Sequence, residues 1–338
     1  MLSQSHEGMV QQHHLGKWFR KRYSNLLPKL YHSKHFKAVS SDIGRCISSA
    51  AVCAAGIYPP DDVEMWHPTL RWQPVPIYVS RDALLYQWIF CPKHRRLWTA
   101  LKKSEVYQKI LRENEGFLKF LTEKSGVDLN SLSAVRLLFG IFYDQRGFNV
   151  TFPDWIQSSY RKLQDLSRQL MISYTYTPEL ARLRSDNPAI TISFGIFIFA
   201  RFMLGISLRS MFFNILDDLN IQYVPHHGPL LGKIIKHFDN VISNSTELKF
   251  VLYSAHECTL INTLNSMGIY DYHVPEYSAT LLFELRRDDI GVFVNILYKN
   301  STKLYQLGLK ECVFRCDLEQ FRGRTASSCG HGHGPVEC

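Results

Sequence analysis

The sequence predicts an α/β fold in which a long helical segment separates two groups of strands. Short strand patterns occur early, at Ala38–Ser41 and Pro76–Ser80, and helical periodicity then dominates from about 81 to 184. Strand patterns return near the end, at Phe250–Ala255, Ser278–Arg286 and Val292–Tyr298. This order predicts an α/β core that carries an inserted α-helical cap, with a ligand site between the two.

Apolar spacing and end signals place the individual helices. Met9–Leu30 has an apolar stripe opposite a basic face, which predicts an amphipathic helix. Asp42 is predicted to cap a second helix that runs through Ala55 and ends at Gly56. Further helices are predicted at Leu84–Phe90, Trp98–Leu111 and Leu163–Ser173, with loops near Asp128–Ser131 and Gly147–Pro153.

Composition narrows the class of protein. With 338 residues and 46% hydrophobic content, the chain can bury a large core, which excludes a disordered or fibrous protein. The 39 Lys and Arg residues exceed the 30 Asp and Glu residues, and this balance fits an anionic substrate. No glycine-rich phosphate loop, zinc-finger spacing or aromatic ribonucleoprotein motif is present, so nucleic acid is not expected as a partner.

Cysteines and glycosylation sequons bear on the compartment. None of the eight cysteines lies in a Cys-x-x-Cys pair, and three sequons begin at Asn149, Asn244 and Asn300. Together with the late cysteine cluster they predict a glycoprotein of an oxidising compartment, extracellular or lysosomal. Met1–His14 is polar and contains no run that could act as a signal peptide. Either the protein is not secreted or its true start lies upstream.

The most informative motif is Tyr253-Ser-Ala-His-Glu257, which closes a β-rich run. It places an imidazole and a carboxylate at the carboxyl end of a strand, where open α/β sheets bind ligands. Taken alone, the pair is better explained as a structural strand end with a hydrogen-bonded histidine.

An apolar segment, Ala189–Leu208, fits none of these elements. Its length suits a membrane span, but Arg201 lies near its middle and a charge is costly in lipid. A membrane anchor is therefore the less favoured alternative for this segment.

Several strings occur in one order along the chain and carry a resemblance. They are Gly8-Met-x-Gln-x-His-x-Leu-Gly16 with Arg20-Lys-Arg-Tyr23, Ser40-Ser-Asp-x-x-Arg45, Tyr58-Pro-Pro60, Trp72-Gln-Pro-Val-Pro-Ile77, Asn149-Val-Thr-x-Pro-x-Trp155, Gly228-Pro-Leu-Leu231 and Cys312-x-x-x-Cys316. With His256-Glu257 they resemble the histidine acid phosphatases, the prostatic and lysosomal branch of the histidine phosphatase superfamily.

The resemblance implies a phosphoglycerate-mutase-like core sheet flanked by helices and formed by residues 1–80 and 226–338. A helical cap would occupy residues 81–185, and residues 186–225 would be an atypical apolar insertion. The implied reaction is hydrolysis of phosphate monoesters through a phosphohistidine, with no metal or other cofactor. The implied substrates are phosphorylated small molecules or phosphoproteins, and the implied assembly is a homodimer.

Three residues match the family's site. Arg45 corresponds to a phosphate-clamping arginine, His256 to the second phosphate-binding histidine and Glu257 to the general acid. Guanidinium and imidazole groups suit the neutralisation of phosphate oxygens, and a carboxylic acid suits protonation of the leaving alkoxide. Near relatives carry Asp where this chain has Glu257, which is longer by one methylene.

The family's nucleophile motif, Arg-His-Gly, does not occur in the 338 residues. We expect it upstream of Met1, and without it we expect little turnover and unpaired strands beside the missing one. We hypothesise that a missed exon explains the absence of the motif before Met1. We also hypothesise that the insertion at 186–225 is a translated intron. The alternatives are a non-catalytic protein that binds phosphorylated ligands and a membrane-anchored isoform.

The resemblance also implies disulfides between Cys91 and Cys338 and between Cys312 and Cys316. The remaining cysteines would be core thiols or form one extra bridge: Cys46, Cys53, Cys258 and Cys329. Cys258 is interpreted as a small buried residue at a helix start rather than a reactive thiol. The Cys329-Gly-His-Gly-His333 tail is interpreted as a solvated end rather than a metal site.

Overall fold

The computed structural model describes residues 4–62, 65–80, 92–145, 151–177, 180, 230–271, 273–309, 312 and 315–322. Within these residues the contacts define two compact units, one formed by the residues before 81 and after 229 and the other by residues 92–180. The predicted domain boundaries at 80/81, 185/186 and 225/226 border or fall in segments outside the described residues.

The first unit combines helices with two small sheets. Its elements are α1 (His6–Arg22), β1 (Phe36–Ser41), α2 (Gly44–Ile57), β2 (Ile77–Ser80), α8 (Leu230–Ile242), β3 (Phe250–Ser254), α9 (Glu257–Ser266), β4 (Thr280–Arg287), β5 (Val292–Lys299), β6 (Leu304–Leu307) and β7 (Cys316–Asp317). Among the described residues, β2, β1 and β3 form a three-stranded sheet in that order, and β4, β5 and β6 form an antiparallel sheet, with β7 also paired to β5.

The three-stranded sheet is parallel and has β1 at its centre. Ser40 lies opposite Val79 of β2 on one side and opposite Ser254 of β3 on the other. The prediction that strands beside a missing strand stay unpaired is therefore wrong for β1 and β3, which pair directly over five residues. The rings of Phe36 and Phe250 stack at 5.6 Å, so this pairing also forms part of the core.

Helix α1 packs across α2 at two glycines, Gly16 and Gly56. A Cβ on Gly56 would lie 2.9 Å from the Cα of Gly16, so only glycines permit this approach. The predicted extension of α1 to residue 30 is wrong. The helix ends at Arg22, and the Arg20 guanidinium donates to the carbonyls of Leu27 and Pro28 at 2.7 Å each, which holds the following residues in a turn.

The predicted capping role of Asp42 is also wrong. Helix α2 begins at Gly44 with Ile43 at the N-cap position and no side-chain capping bond. Asp42 lies one residue earlier, in a tight turn where the Ile43 N–H donates to the Ser41 carbonyl at 2.8 Å. Asp42 is therefore not the N-cap residue of α2.

Two apolar clusters stabilise the first unit. One lies between α1, α2 and the parallel sheet and includes Phe19, Phe36 and Ile57, each at most 2% exposed. The other lies between α8 and the antiparallel sheet and includes Phe321, which is fully buried, with Phe238. Cys312 and Cys316 belong to this second cluster and form a disulfide.

The second unit is helical in its described residues. Its elements are α3 (Pro92–Lys103), α4 (Glu105–Glu113), α5 (Glu115–Ser125), α6 (Leu132–Gln145) and α7 (Asp154–Ser173). The single helix predicted at Trp98–Leu111 is two helices, because Ser104 adopts extended backbone and its hydroxyl accepts the Tyr107 N–H at 3.4 Å. Helices α5 and α6 were not predicted individually.

Several predictions fall outside the described residues. They concern the helix at Leu84–Phe90, the apolar segment at 186–225, the sequon at Asn149 and the cysteines Cys91, Cys329 and Cys338. In the part of the chain that the structure does describe, no helix is both long and apolar enough to cross a membrane.

Candidate active site

The carboxyl ends of β1 and β3 lie side by side, because the two strands are parallel and Ser40 is opposite Ser254. Each strand leads within a few residues into a helix, α2 at Gly44 and α9 at Glu257. Two helix N-termini therefore begin at one edge of the sheet. The N–H groups and dipoles of helix N-termini favour anions, so this edge has the electrostatic character of an anion site.

His256 lies at the junction of β3 and α9. It is the N-cap residue of α9, and its N–H donates to the Thr259 hydroxyl at 3.4 Å. The side chain is buried, at 9% exposure. Burial, and secondarily the positive charge of Arg45, lower the pKa of His256 to about 4. The imidazole is therefore neutral at neutral pH in the unliganded site.

Arg45 comes from the opposite end of the sequence, at the second residue of α2. It is half-buried, and its charge acts on the ring of His256. Because a guanidinium presents planar N–H donors and stays charged, this position suits recognition of phosphate oxygens. The structure thus brings Arg45 and His256, both predicted as site residues, to the same edge of the sheet.

Glu257 opens α9 directly after His256 and is half-buried. A carboxylate in the first turn interacts favourably with the helix dipole. This edge of the sheet therefore carries one carboxylic acid, Glu257, one base, the imidazole of His256, and one permanent cation, Arg45. Such a set can bind a phosphate and move a proton to or from an oxygen of the ligand.

Sequence reasoning missed Cys46. Its sulfur donates to the Ala255 carbonyl at 3.4 Å and lies 3.8 Å from His256 Nδ1. The Ser254 hydroxyl in turn donates to the Cys46 carbonyl at 2.8 Å. The only signal in the sequence was its place next to Arg45. Burial raises the pKa of the Cys46 thiol, so it stays protonated at neutral pH.

The structure also describes three other residues that the sequence singled out, Cys258, Asn244 and Asn300. Cys258 is 1% exposed in the first turn of α9, which fits a small packing residue. Asn244 is exposed with φ of 52°, and the Asn300 side-chain oxygen accepts the N–H groups of Thr302 and Lys303 at 3.0 and 2.7 Å. Among the described residues, no group of three or more His, Cys, Asp or Glu side chains is arranged to hold a metal ion.

Comparisons with known proteins agree with this architecture. The family model for the histidine phosphatase superfamily (branch 2) matches residues 3–112. The chain is 27% identical to prostatic acid phosphatase of Bos taurus over 322 residues, 93% of this chain and 73% of the relative. It is also 27% identical to lysosomal acid phosphatase of Bos taurus over 322 residues, 93% of this chain and 67% of the relative.

Solved structures agree on the fold alone. Phytase from Citrobacter braakii superposes with a TM-score of 0.55 at 12% identity, over 96% of this chain and 88% of that one. Klebsiella sp. ASR1 phytase gives 0.55 at 13% identity, over 96% and 85%. The predicted α/β class is confirmed, and the fold agrees both with these neighbours and with the family match to residues 3–112.

The resemblance drawn from the sequence strings is confirmed: residues 3–112 match the family model for branch 2 of the histidine phosphatase superfamily, and 93% of the chain is similar to prostatic and lysosomal acid phosphatases.

Proposed function

We propose that this chain binds phosphate monoesters at the carboxyl edge of β1 and β3. Arg45 and His256 hold the phosphate oxygens, and Glu257 is the acid that protonates the leaving oxygen in the family's hydrolysis. The observation that carries the proposal is the convergence of Arg45 and His256 at two adjacent helix N-termini.

The neutral state of His256 supports this assignment. An arginine already supplies fixed positive charge, and the unliganded imidazole carries none near neutral pH. A monoprotonated phosphate can share its proton with the His256 ring. A phosphate dianion can favour protonation of the ring through its negative charge. The site therefore adapts its charge to the ligand.

The 338 residues contain no Arg-His-Gly motif, so we propose that they bind phosphorylated ligands without efficient turnover. In the implied reaction a histidine nitrogen attacks phosphorus, the alkoxide leaves with a proton from the acid, and water then releases phosphate from the phosphohistidine. Arg45, His256 and Glu257 bind and protonate in that scheme, and none of them supplies the attacking nitrogen.

Several features support an extracellular or lysosomal setting, which we propose by similarity. The relatives include acid phosphatases named prostatic and lysosomal. The Cys312–Cys316 disulfide and the exposed sequon at Asn244 fit an oxidising, glycosylating compartment. A homodimer, as in the family, remains our prediction for the assembly.

Calorimetric titration with inorganic phosphate tests the binding site. Wild type should bind, and Arg45→Ala and His256→Ala should each weaken binding by roughly tenfold or more, the loss expected for one charge-assisted contact. Arg112→Ala, at an exposed position on α4, is the matched control and should leave affinity unchanged. A wild-type chain that does not bind phosphate contradicts the proposal.

A phosphatase assay tests the absence of turnover. With a generic phosphomonoester at acidic pH, the purified 338-residue chain should release phosphate at background rate. Turnover by the wild-type chain that disappears in His256→Ala would contradict the proposal that the chain is non-catalytic. It would also show that another group acts as nucleophile.

A membrane-anchored protein is the rival reading, and it rests on the composition of Ala189–Leu208. Alkaline extraction of membranes from expressing cells distinguishes a membrane-anchored protein from one without an anchor. Recovery of the chain in the soluble fraction excludes the anchor, and its retention in the pellet supports it.

A further inference from the structure

Helix α3, in the helical second unit, has a basic side that the proposed phosphate site does not use. The helix contains five Lys or Arg residues and neither Asp nor Glu. Because an α-helix has 3.6 residues per turn, positions 95 and 102 lie on one side, two turns or about 10 Å apart, and positions 96 and 103 do the same. Three of these side chains are exposed and that of Lys102 is half-buried. We call the cations at these positions the basic face of α3: Arg95, Arg96, Lys102 and Lys103.

The opposite side of α3 is packed against its own unit. His94 is fully buried, and its Nε2 lies 3.2 Å from the carbonyl oxygen of Tyr174. Trp98 is buried as well, and its indole N–H donates to the Ser173 hydroxyl at 3.3 Å. The ammonium group of Lys102 lies 4.1 Å from the centre of the Trp98 ring, a cation–π contact that holds this side chain beside the helix. The packing of the buried side therefore leaves the basic face directed at solvent.

The basic face has no counter-charge among the described residues. None of its four side chains forms an ion pair with a described carboxylate. Positive charges that are concentrated and unpaired create a potential that attracts anions. Three cations of α4 and α5 differ, because each is paired with a glutamate of its own helix: Lys109 with Glu113, Arg112 with Glu105, and Lys119 with Glu115.

The composition of this surface indicates the kind of anion. The exposed large apolar side chains of the described residues include none from α3. Protein interfaces are centred on apolar or aromatic anchors, and a helix that lies on a membrane buries an apolar side in the lipid. The apolar side of α3 is already buried against its own unit, so neither of these partners is favoured. A hydrophilic polyanion needs only charge, and guanidinium groups pair well with the oxygens of oxyanions such as sulfate.

We propose that the basic face of α3 binds a linear sulfated polysaccharide. The two turns between the ends of the face allow sulfate groups along one chain to meet an arginine at one end and a lysine at the other. This partner suits the extracellular or lysosomal setting proposed for the chain. The binding does not depend on the phosphate site at Arg45 and His256, which belongs to the other unit. The alternative is a basic face that is only solvated.

Calorimetric titration of the 338-residue chain with heparin tests the proposal. Wild type should bind, and Arg95→Gln/Arg96→Gln/Lys103→Gln should bind about tenfold more weakly, because three charge contacts of modest strength are lost.

The matched control is Lys109→Gln/Arg112→Gln/Lys119→Gln, which removes the same charge from ion-paired positions in the same unit. It should change the affinity by less than about twofold at physiological salt, where distant charges are screened. Urea denaturation of both triple variants checks that they are folded.

Two results would show that the basic face is only solvated. One is a wild-type chain that does not bind heparin at physiological salt, a measurement that needs no variant. The other is an equal loss of affinity in the two triple variants, since binding would then follow net charge rather than the basic face.

Other anions distinguish the kind of partner. Desulfated heparin, polyglutamate and vesicles that contain phosphatidylserine should each bind wild type more weakly than heparin does. Equal binding of desulfated heparin would contradict the role of sulfate, and equal binding of polyglutamate would indicate an acidic peptide instead. Vesicle binding that is lost in Arg95→Gln/Arg96→Gln/Lys103→Gln, with heparin binding unchanged, would indicate a membrane surface.

Discussion

Gly16 and Gly56 lie against each other where α1 crosses α2. A Cβ on Gly16 would lie 2.1 Å from the Cys53 carbonyl oxygen, and a Cβ on Gly56 would lie 2.4 Å from the His13 carbonyl oxygen. Both atoms belong to helix backbone, which cannot move aside without separating the helices. The crossing places α1 on the helix that carries Arg45 and Cys46.

We predict that Gly56→Ala lowers the free energy of unfolding by about 2 kcal/mol, the usual cost of overpacking a close contact. Urea denaturation measures the change. Gly116→Ala is the matched control, since a Cβ at that helical glycine meets nothing within 4 Å. It should raise stability slightly, because alanine favours the helix. Equal effects of the two substitutions would contradict the close crossing.

Glu284 is a buried carboxylate that joins α1 to the antiparallel sheet. Its Oε1 accepts from Arg22 Nη2 at 2.7 Å and from the Tyr23 hydroxyl at 2.6 Å, and its Oε2 accepts from Arg286 at 2.6 Å. We predict that Glu284→Gln lowers the free energy of unfolding by roughly 2 kcal/mol, because it removes the anion that accepts hydrogen bonds from two partly exposed guanidinium groups and from the Tyr23 hydroxyl. Glu115→Gln, which removes an exposed ion pair with Lys119, should have little effect in the same denaturation experiment.

The contribution of Glu284 should depend on pH. Burial alone would raise its pKa, but hydrogen bonds from Tyr23, Arg22 and Arg286 outweigh burial and hold the pKa below its ordinary value. The stabilisation is therefore fully present above the ordinary glutamate pKa of about 4.3 and is lost as pH falls through the lower folded-state value. The stability difference between wild type and Glu284→Gln should stay constant from pH 7 to 5 and shrink below about pH 4. A difference that grows on acidification would contradict this assignment.

His256 should make the fold less stable in mild acid. Its pKa is about 4 in the folded state, against about 6.5 in an unfolded chain, so only the unfolded chain takes up the proton between these values. Stability should therefore fall as pH decreases from about 6.5 to 4, by roughly 3 kcal/mol from this group. In urea denaturation, His256→Gln should lose this part of the pH dependence, and His14→Gln, at an exposed position on α1, should keep it.

Arg45 should account for part of the low pKa of His256. Burial is the larger cause and the charge of Arg45 is the second, so Arg45→Gln should raise the pKa without restoring the value of an exposed histidine. An NMR titration of the His256 ring measures it, with Arg112→Gln as the control that changes charge at an exposed site. An unchanged pKa in Arg45→Gln would show that the guanidinium does not act on this ring.

Local patterns predicted strands β1 to β5, but β6 and β7 were not predicted. β1 and β3 were placed within two residues of their observed bounds, because short apolar runs bounded by polar turns are local features. Helix ends were predicted less well, since the end of α1 depends on bonds from Arg20 to carbonyls in the next turn. The break between α3 and α4 depends on the capping hydroxyl of Ser104.

The sequence by itself determined the family strings and the identities of Arg45, His256 and Glu257, because side-chain chemistry and order along the chain are local information. Only the tertiary structure decided that β1 pairs directly with β3 and that Cys46 contacts the ring of His256. These relationships join residues from opposite ends of the chain. They are set by sheet register and by the crossing of α1 and α2, which depend on the packing of the whole unit rather than on any single segment.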